Sequence, residues 1–308
     1  MKLVTYRSSG AVAAAGALLD DEATVLDAGA LLDGSVARGT LSALDVLRRP
    51  GALAALREVT GSIHGTQRSS DAAVGRLPEI QLLAPVPRPG KIIAAGMNYA
   101  AHIAETGLEP PVGMPGFFSK LPSSVIGPFE AIRNPRHLGS QLDYEGELAV
   151  VIGADGILIE GTSTRVAGWT VANDVSLRDL QTTRNQLTLG KGIDTFCPMG
   201  PAIHVPDEGA ALPDDLAIQT WVNDELRQDS TTADMVFDIA EIVRIAAAHV
   251  TLEPGDVLLT GSPFGTGMGL RPQRWLTEGD VVRIRIQGIG EIRNPVAPWT
   301  ETATEVTP

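Results

Sequence analysis

The 308-residue chain carries 37 acidic against 24 basic residues, a formal charge of −13, which argues against nucleic acid or an anionic membrane as partner, since both need a basic surface. A single cysteine, Cys197, rules out an internal disulfide framework and fits a reducing cytoplasm. Hydrophobic residues make up 44% of the chain, ample for a packed core, yet no apolar run approaches the ~18 residues of a membrane span.

Residues 1–70 alternate short apolar runs with Gly- and Asp-bearing turns. The stretch GAVAAAGALL, residues 10–19, follows Lys2 and Arg7 and imitates a signal-peptide core. It is mostly Ala and Gly and runs straight into DDEA, so strand, turn and strand is expected. TLSALDVLRRPGALAALREV reads as two short helices split at Pro50-Gly51. Pro85, Pro87 and Pro89 then form a stiff linker. A small N-terminal α/β domain is expected over 1–84 and a larger domain over 85–308.

In the second part, Lys91 to Ala95 reads as a strand and Asn98 as the N-cap of a short helix closed by Gly107. Leu148 to Ile152 reads as a buried strand, and GWTVAN as another that ends at Asp174. A hairpin turns at Asn223-Asp224. The clearest helix is TADMVFDIAEIVRIAAAHV, where Val236, Ile239, Ala240, Val243, Ala246, Ala247 and Val250 keep one apolar stripe. LEPGDVLLTGSPFGTGMG gives a strand and a Gly-rich loop, and two closing strands follow. The fold class is α+β, mostly β.

Glu145 and Glu147 stand two apart at the head of the Leu148–Ile152 run, so both point to one face. Like charges held that close raise each other's pKa or need a cation between them. Asp174 offers a third carboxylate, and an oxygen-rich set of this kind suits Mg²⁺ or Mn²⁺. The bland alternative is a solvated strand face. His102 and Glu105 lie three apart on one helical face, the arrangement of a general base with its orienting carboxylate, or of a surface pair. Lys191 sits between glycines, placed to reach a carboxylate or an oxyanion, or simply solvated. His64, His137, His204 and His249 show no partner pattern and read as structural, and Cys197 as buried.

Seven segments in order, GKIIAAGMNYAAHIAETG, FFSKLPSSVIGP, LDYEGELAVVIG, VANDVSLRDLQ, LGKGIDTFCPMGP, VNDELRQDSTTADMVF and LEPGDVLLTGSPFGTGMG, resemble the fumarylacetoacetate hydrolase family. The resemblance covers about residues 85–295. It implies a mixed β-roll and Mg²⁺ or Mn²⁺ held by Glu145, Glu147 and Asp174. It further implies a water-activating pair at His102 and Glu105, an active-site lysine at Lys191, and substrate contacts at Arg178, Gln181, Thr260 and Gly261. A cytoplasmic homodimer acting on a small 2-oxo acid is the matching expectation. Gly192, where many relatives carry Ser, and Ser262-Pro263, where they carry Thr-Pro, depart from the pattern beside the expected substrate contacts. The leading expectation is hydrolysis of a C–C bond in a 2,4-dioxo acid such as an acylpyruvate. The alternatives are decarboxylation, isomerisation or hydration of oxaloacetate or 2-hydroxy-dienoate substrates on the same site, and a non-catalytic metal-binding scaffold.

Overall fold

The strand Gly146–Gly153 is buried at every position, because both faces of its sheet are covered. Its side chains alternate between two cores. Ala149 and Val151 join a cluster with Leu26, Leu47, Leu53 and Leu56 from the N-terminal part. Leu148, Val150 and Ile152 join another with Ile218, Val243 and Ile284. Such alternation follows from the two-residue period of a strand. The computed structural model describes residues 1–8, 11–19, 23–33, 39, 41–62, 71–107 and 109–300.

The fold is mostly β. One sheet runs, from edge to edge, through Ala73–Arg76, Thr24–Asp27, Ala14–Leu18, Lys2–Arg7, Cys197–His204, Arg165–Asn173, Gly146–Gly153, Val257–Leu259, Ile92–Gly96 and Gly116–Lys120. Neighbours along this path are antiparallel except Val257–Leu259 with Ile92–Gly96. The N-terminal strands therefore continue the sheet of the larger part, through Lys2 opposite His204 and Leu3 opposite Ile203. A second sheet packs across Glu225–Thr231, Ala217–Val222, Val281–Ile286, Gly290–Pro298 and Ile132–Asn134. Gly146 lies where the layers meet, and a Cβ there would stand 2.3 Å from Thr220 Oγ1.

Helices Ala43–Arg48 and Ala52–Ser62 flank Pro50-Gly51 as the sequence suggests. Ala14–Leu18 is a strand, in keeping with the strand-turn-strand reading of that stretch. Two expectations need correction. Asn98 does not cap the helix Ala100–Thr106, whose N-cap position is Tyr99. Its buried amide instead donates to the Phe237 and Thr260 carbonyls at 3.0 and 2.8 Å and accepts from Phe237 N at 2.8 Å. Three backbone groups from other segments outcompete the local cap. The late helix covers only Ile239–His249, because Asp238 caps it in a reciprocal box with Glu241. Val236 and Val250 fall outside it and are exposed, while Ile242 joins the buried stripe. His64 lies outside the described residues. No helix among the described residues is long and apolar enough to cross a membrane.

Candidate active site: a carboxylate triad facing a histidine–glutamate pair

Glu145 precedes the strand Gly146–Gly153, Glu147 is its second residue, and Asp174 follows the neighbouring strand Arg165–Asn173. Register brings them together, since Glu147 pairs with Ala172 and the Asp174 amide donates to the Glu145 carbonyl at 2.9 Å. One ligand oxygen from each carboxylate lies within 4.8 Å of the others, and all three residues are buried. Such a set fits a hard divalent cation.

The two glutamates differ in what surrounds them. Burial pushes the Glu145 carboxyl up, but Arg178 and Lys191 overcome it and hold the group well below the usual carboxylate range. Arg178 donates to it at 2.6 Å and Lys191 at 2.8 Å. Among the described residues Glu147 accepts from one donor, the Gly261 amide at 2.8 Å. Burial, then Asp174 and Glu145, push its carboxyl well above the usual range. Ionising Glu147 beside Asp174 and Glu145 is therefore unfavourable without a further cation, and a bound metal would supply one; this is the observation that the triad fits a metal.

Lys191 gives its Nζ protons to Glu145, Asp174 (2.7 Å) and Ser176 (2.8 Å). Burial lowers its pKa, but Asp174 and Glu145 outweigh that and raise it, so it stays an ammonium. Two further residues of this cluster carry no role in the sequence reading. Lys120 donates to Asp174 at 2.5 Å, to the Val175 carbonyl at 3.2 Å and to the Lys191 carbonyl. Asp143 accepts from Arg178 Nε at 2.9 Å and from Gly267 and Met268 amides at 2.7 and 3.0 Å. The signal for Asp143 was present: Asp143, Glu145 and Glu147 repeat every second residue. Lys120 closes an apolar strand, Gly116–Lys120, which gives a weaker cue.

A cavity of about 520 Å³ is lined by the triad, Lys191, Arg178, Gln181, His102 and Glu105. His102 Nδ1 lies 2.7 Å from Glu105 Oε1. Glu105 is itself held by the Gly265 amide at 3.1 Å and the Thr266 hydroxyl at 3.3 Å. With Glu105 ionised and accepting, Nδ1 keeps its proton and Nε2 is left as the ring's acceptor. Thus three carboxylates grip successive amides of one Gly-rich loop: Glu147 at Gly261, Glu105 at Gly265, and Asp143 at Gly267 and Met268. Thr260 gives its hydroxyl proton to the Leu148 carbonyl at 3.0 Å, so that proton braces the strand. Gly192 is closely packed, since a Cβ there would meet the Thr188 carbonyl at 2.6 Å.

Of the remaining histidines, His204 stacks on Trp169, His137 tilts against Trp299, and His249 bonds the Ile245 carbonyl. Burial pushes the Cys197 thiol up to about 12, which leaves it unreactive near neutrality.

Residues 91–297 match the family described as fumarylacetoacetate (FAA) hydrolase C-terminal. The chain belongs to this family and is one of its enzymes. It is 42% identical over 224 residues to the oxaloacetate tautomerase YisK of Bacillus subtilis (strain 168), covering 71% of this chain and 74% of that protein. The fumarylacetoacetate hydrolase EaFAH of psychrophilic Exiguobacterium antarcticum superposes with a TM-score of 0.77 at 35% identity, over 97% of this chain and all (100%) of that one. The maleylpyruvate hydrolase of Sphingobium sp. SYK-6, solved with manganese(II) and pyruvate, gives 0.73 at 27% identity, over 97% and 100%.

Proposed function

We propose that this chain is a divalent-metal-dependent tautomerase that interconverts the keto and enol forms of oxaloacetate or a close 2-oxo acid. This departs from the leading expectation of C–C hydrolysis and follows the isomerase alternative. The observation that carries it is the His102–Glu105 pair on the wall of the cavity whose floor is the carboxylate triad. The 42% identity to the oxaloacetate tautomerase of Bacillus subtilis supports it.

When bound to Glu145, Glu147 and Asp174, Mg²⁺ or Mn²⁺ supplies a Lewis acid for the oxygens of a 2-oxo acid. His102 Nε2 removes a proton from C3. The C–H electron pair becomes the C2–C3 double bond, the carbonyl pair moves to oxygen, and the proton returns there from His102. No atom is gained or lost, and no water attacks. Glu105 holds the ring in the required tautomer and stabilises its cationic form. Lys191 and Lys120 offset the negative charge of Asp174, and Arg178 that of Glu145.

The test follows enol absorbance of oxaloacetate with the purified protein, after chelation and after adding back Mn²⁺. The expected result is acceleration that chelation removes and Mn²⁺ restores. A rate no faster than that of Mn²⁺ alone would end this reading. The second reading is cleavage of an acylpyruvate, favoured by the structural likeness to the maleylpyruvate hydrolase. It predicts pyruvate release from such a substrate under the same conditions.

A further inference from the structure

Oxaloacetate carries a second carboxylate beyond its 2-oxo acid end, and something in the cavity has to meet that charge. Every guanidinium nitrogen of Arg178 already has an acceptor. Its Nε donates to Asp143 at 2.9 Å, its Nη2 to Glu145 at 2.6 Å and its Nη1 to Gln181 at 2.7 Å. Lys191 has three acceptors for its three protons. The other cationic side chain lining the cavity is Arg271.

Arg271 is exposed at the rim and differently held. Its Nη1 donates to the Met268, Gly269 and Leu270 carbonyls at 3.0, 3.1 and 3.0 Å. Gln273 Nε2 donates to the same Met268 carbonyl at 3.1 Å. The anchoring uses one nitrogen and restrains the guanidinium, while among the described residues Nε and Nη2 have no acceptor and remain for a ligand. A planar fork held this way matches a carboxylate, and restraining it beforehand lowers the ordering cost of binding.

We propose that Arg271 selects a distal carboxylate, so that the substrate class is 2-oxo dicarboxylates in preference to 2-oxo monocarboxylates. The proposal rests on the tautomerase reading for the chemistry at the 2-oxo end, and adds recognition of the other end.

The test uses the Mn²⁺-loaded full chain and two inert ligands, malate and 2-hydroxybutanoate. Both carry a 2-hydroxy acid, and only malate has a distal carboxylate. Calorimetry on the wild type is expected to show malate binding at least roughly tenfold tighter, the scale of a charge-assisted hydrogen bond. Arg271→Met should collapse that ratio to about one, and Arg271→Lys should keep part of it, because charge survives without the fork. A wild-type ratio near one, or a ratio unchanged in Arg271→Met, overturns the proposal. So does an equal loss of affinity for both ligands, which would make Arg271 a brace for residues 268–270. Oxaloacetate turnover by the wild type is measured alongside. Its absence with the ratio intact removes the tautomerase reading and leaves the carboxylate selector standing.

Discussion

The floor and the wall of the cavity are built to different standards. The floor sits on paired strands, and its charged side chains, Asp174, Arg178 and Lys191, are 0%, 1% and 3% exposed. Each is held by two or more charged or backbone partners. The wall is the seven-residue helix Ala100–Thr106, whose His102 and Glu105 are 8% and 17% exposed. Its grip on the Gly-rich loop is two hydrogen bonds of 3.1 and 3.3 Å that Glu105 accepts from the Gly265 amide and the Thr266 hydroxyl. Sites on strands hold geometry more firmly than sites on short segments. Damage to the floor should therefore register in stability and metal binding, and damage to the wall in turnover alone.

The strongest challenge to that contrast is Asp174→Ala. It strips Lys120 and Lys191 of the carboxylate they share in a buried setting. Removing one partner of a buried pair costs about 3–5 kcal/mol. Chemical denaturation should show a loss of that size, and calorimetry should show no Mn²⁺ binding. Stability equal to wild type would mean that the two lysines are compensated elsewhere.

His102→Ala probes the wall. Loss of a positioned base typically costs ~10²–10⁴-fold in rate. Oxaloacetate tautomerisation should fall by that much, while the melting temperature and the Mn²⁺ affinity stay at wild-type values. A matching fall in metal affinity would place His102 within the floor's electrostatics and erase the distinction.

The floor was more legible in the sequence than its supports. Two glutamates at strand spacing before an apolar run announce a shared face, and Asp174 ends the next apolar strand. His102 and Glu105 were legible from helical spacing. Asp143 shares the two-residue spacing of Glu145 and Glu147, but its role does not show there, because it meets Gly267 across 124 positions; Lys120 was not legible, since it meets Asp174 across 54. The hairpin at Asn223-Asp224 needed only local chemistry, and Asn223 has the φ of 57° such turns use. Asn98 misled because a good cap residue is equally good at satisfying backbone groups brought by the fold. Joining of the N-terminal strands to the main sheet was also invisible, since the pairing of Lys2 with His204 has no short-range signature.

Asp143→Asn asks whether the floor's reach extends to the outer partner of Arg178. The amide can still accept from Gly267, but the negative charge paired with Arg178 is gone. Arg178 then bears wholly on Glu145 and competes with a cation for it. Loss of such a supporting partner lowers metal affinity by ~10–100-fold. A calorimetric Mn²⁺ titration measures this directly. Unchanged affinity would confine Asp143 to holding the loop.

The smallest expected effect separates the two glutamates of the floor, through pH. In the metal-free protein the Glu147 carboxyl lies above its ordinary value of 4.5, so the folded state keeps a proton that the unfolded chain has released. Below about 4.5 both states are protonated and the group is neutral in its effect. As pH rises from there through the folded value, the folded state binds more protons and stability falls. Glu145 runs the other way: its depressed carboxyl stabilises the fold above its unfolded value, and that contribution is lost only as pH falls through its folded value, below this window. Glu147→Gln removes the rising penalty while keeping the shape and an acceptor for the Gly261 amide. At neutral pH the metal-free variant should therefore be more stable than the metal-free wild type, and the two should converge toward acid. Saturating Mn²⁺ should reverse the order, because the wild type offers the cation a full carboxylate and gains more from binding. Thermal melts of both proteins from about pH 4.5 to 7.5, with and without Mn²⁺, read the crossing that this difference in proton binding requires. Parallel curves would show that Glu147 carries no uncompensated charge, and the triad would then have no electrostatic need of a metal.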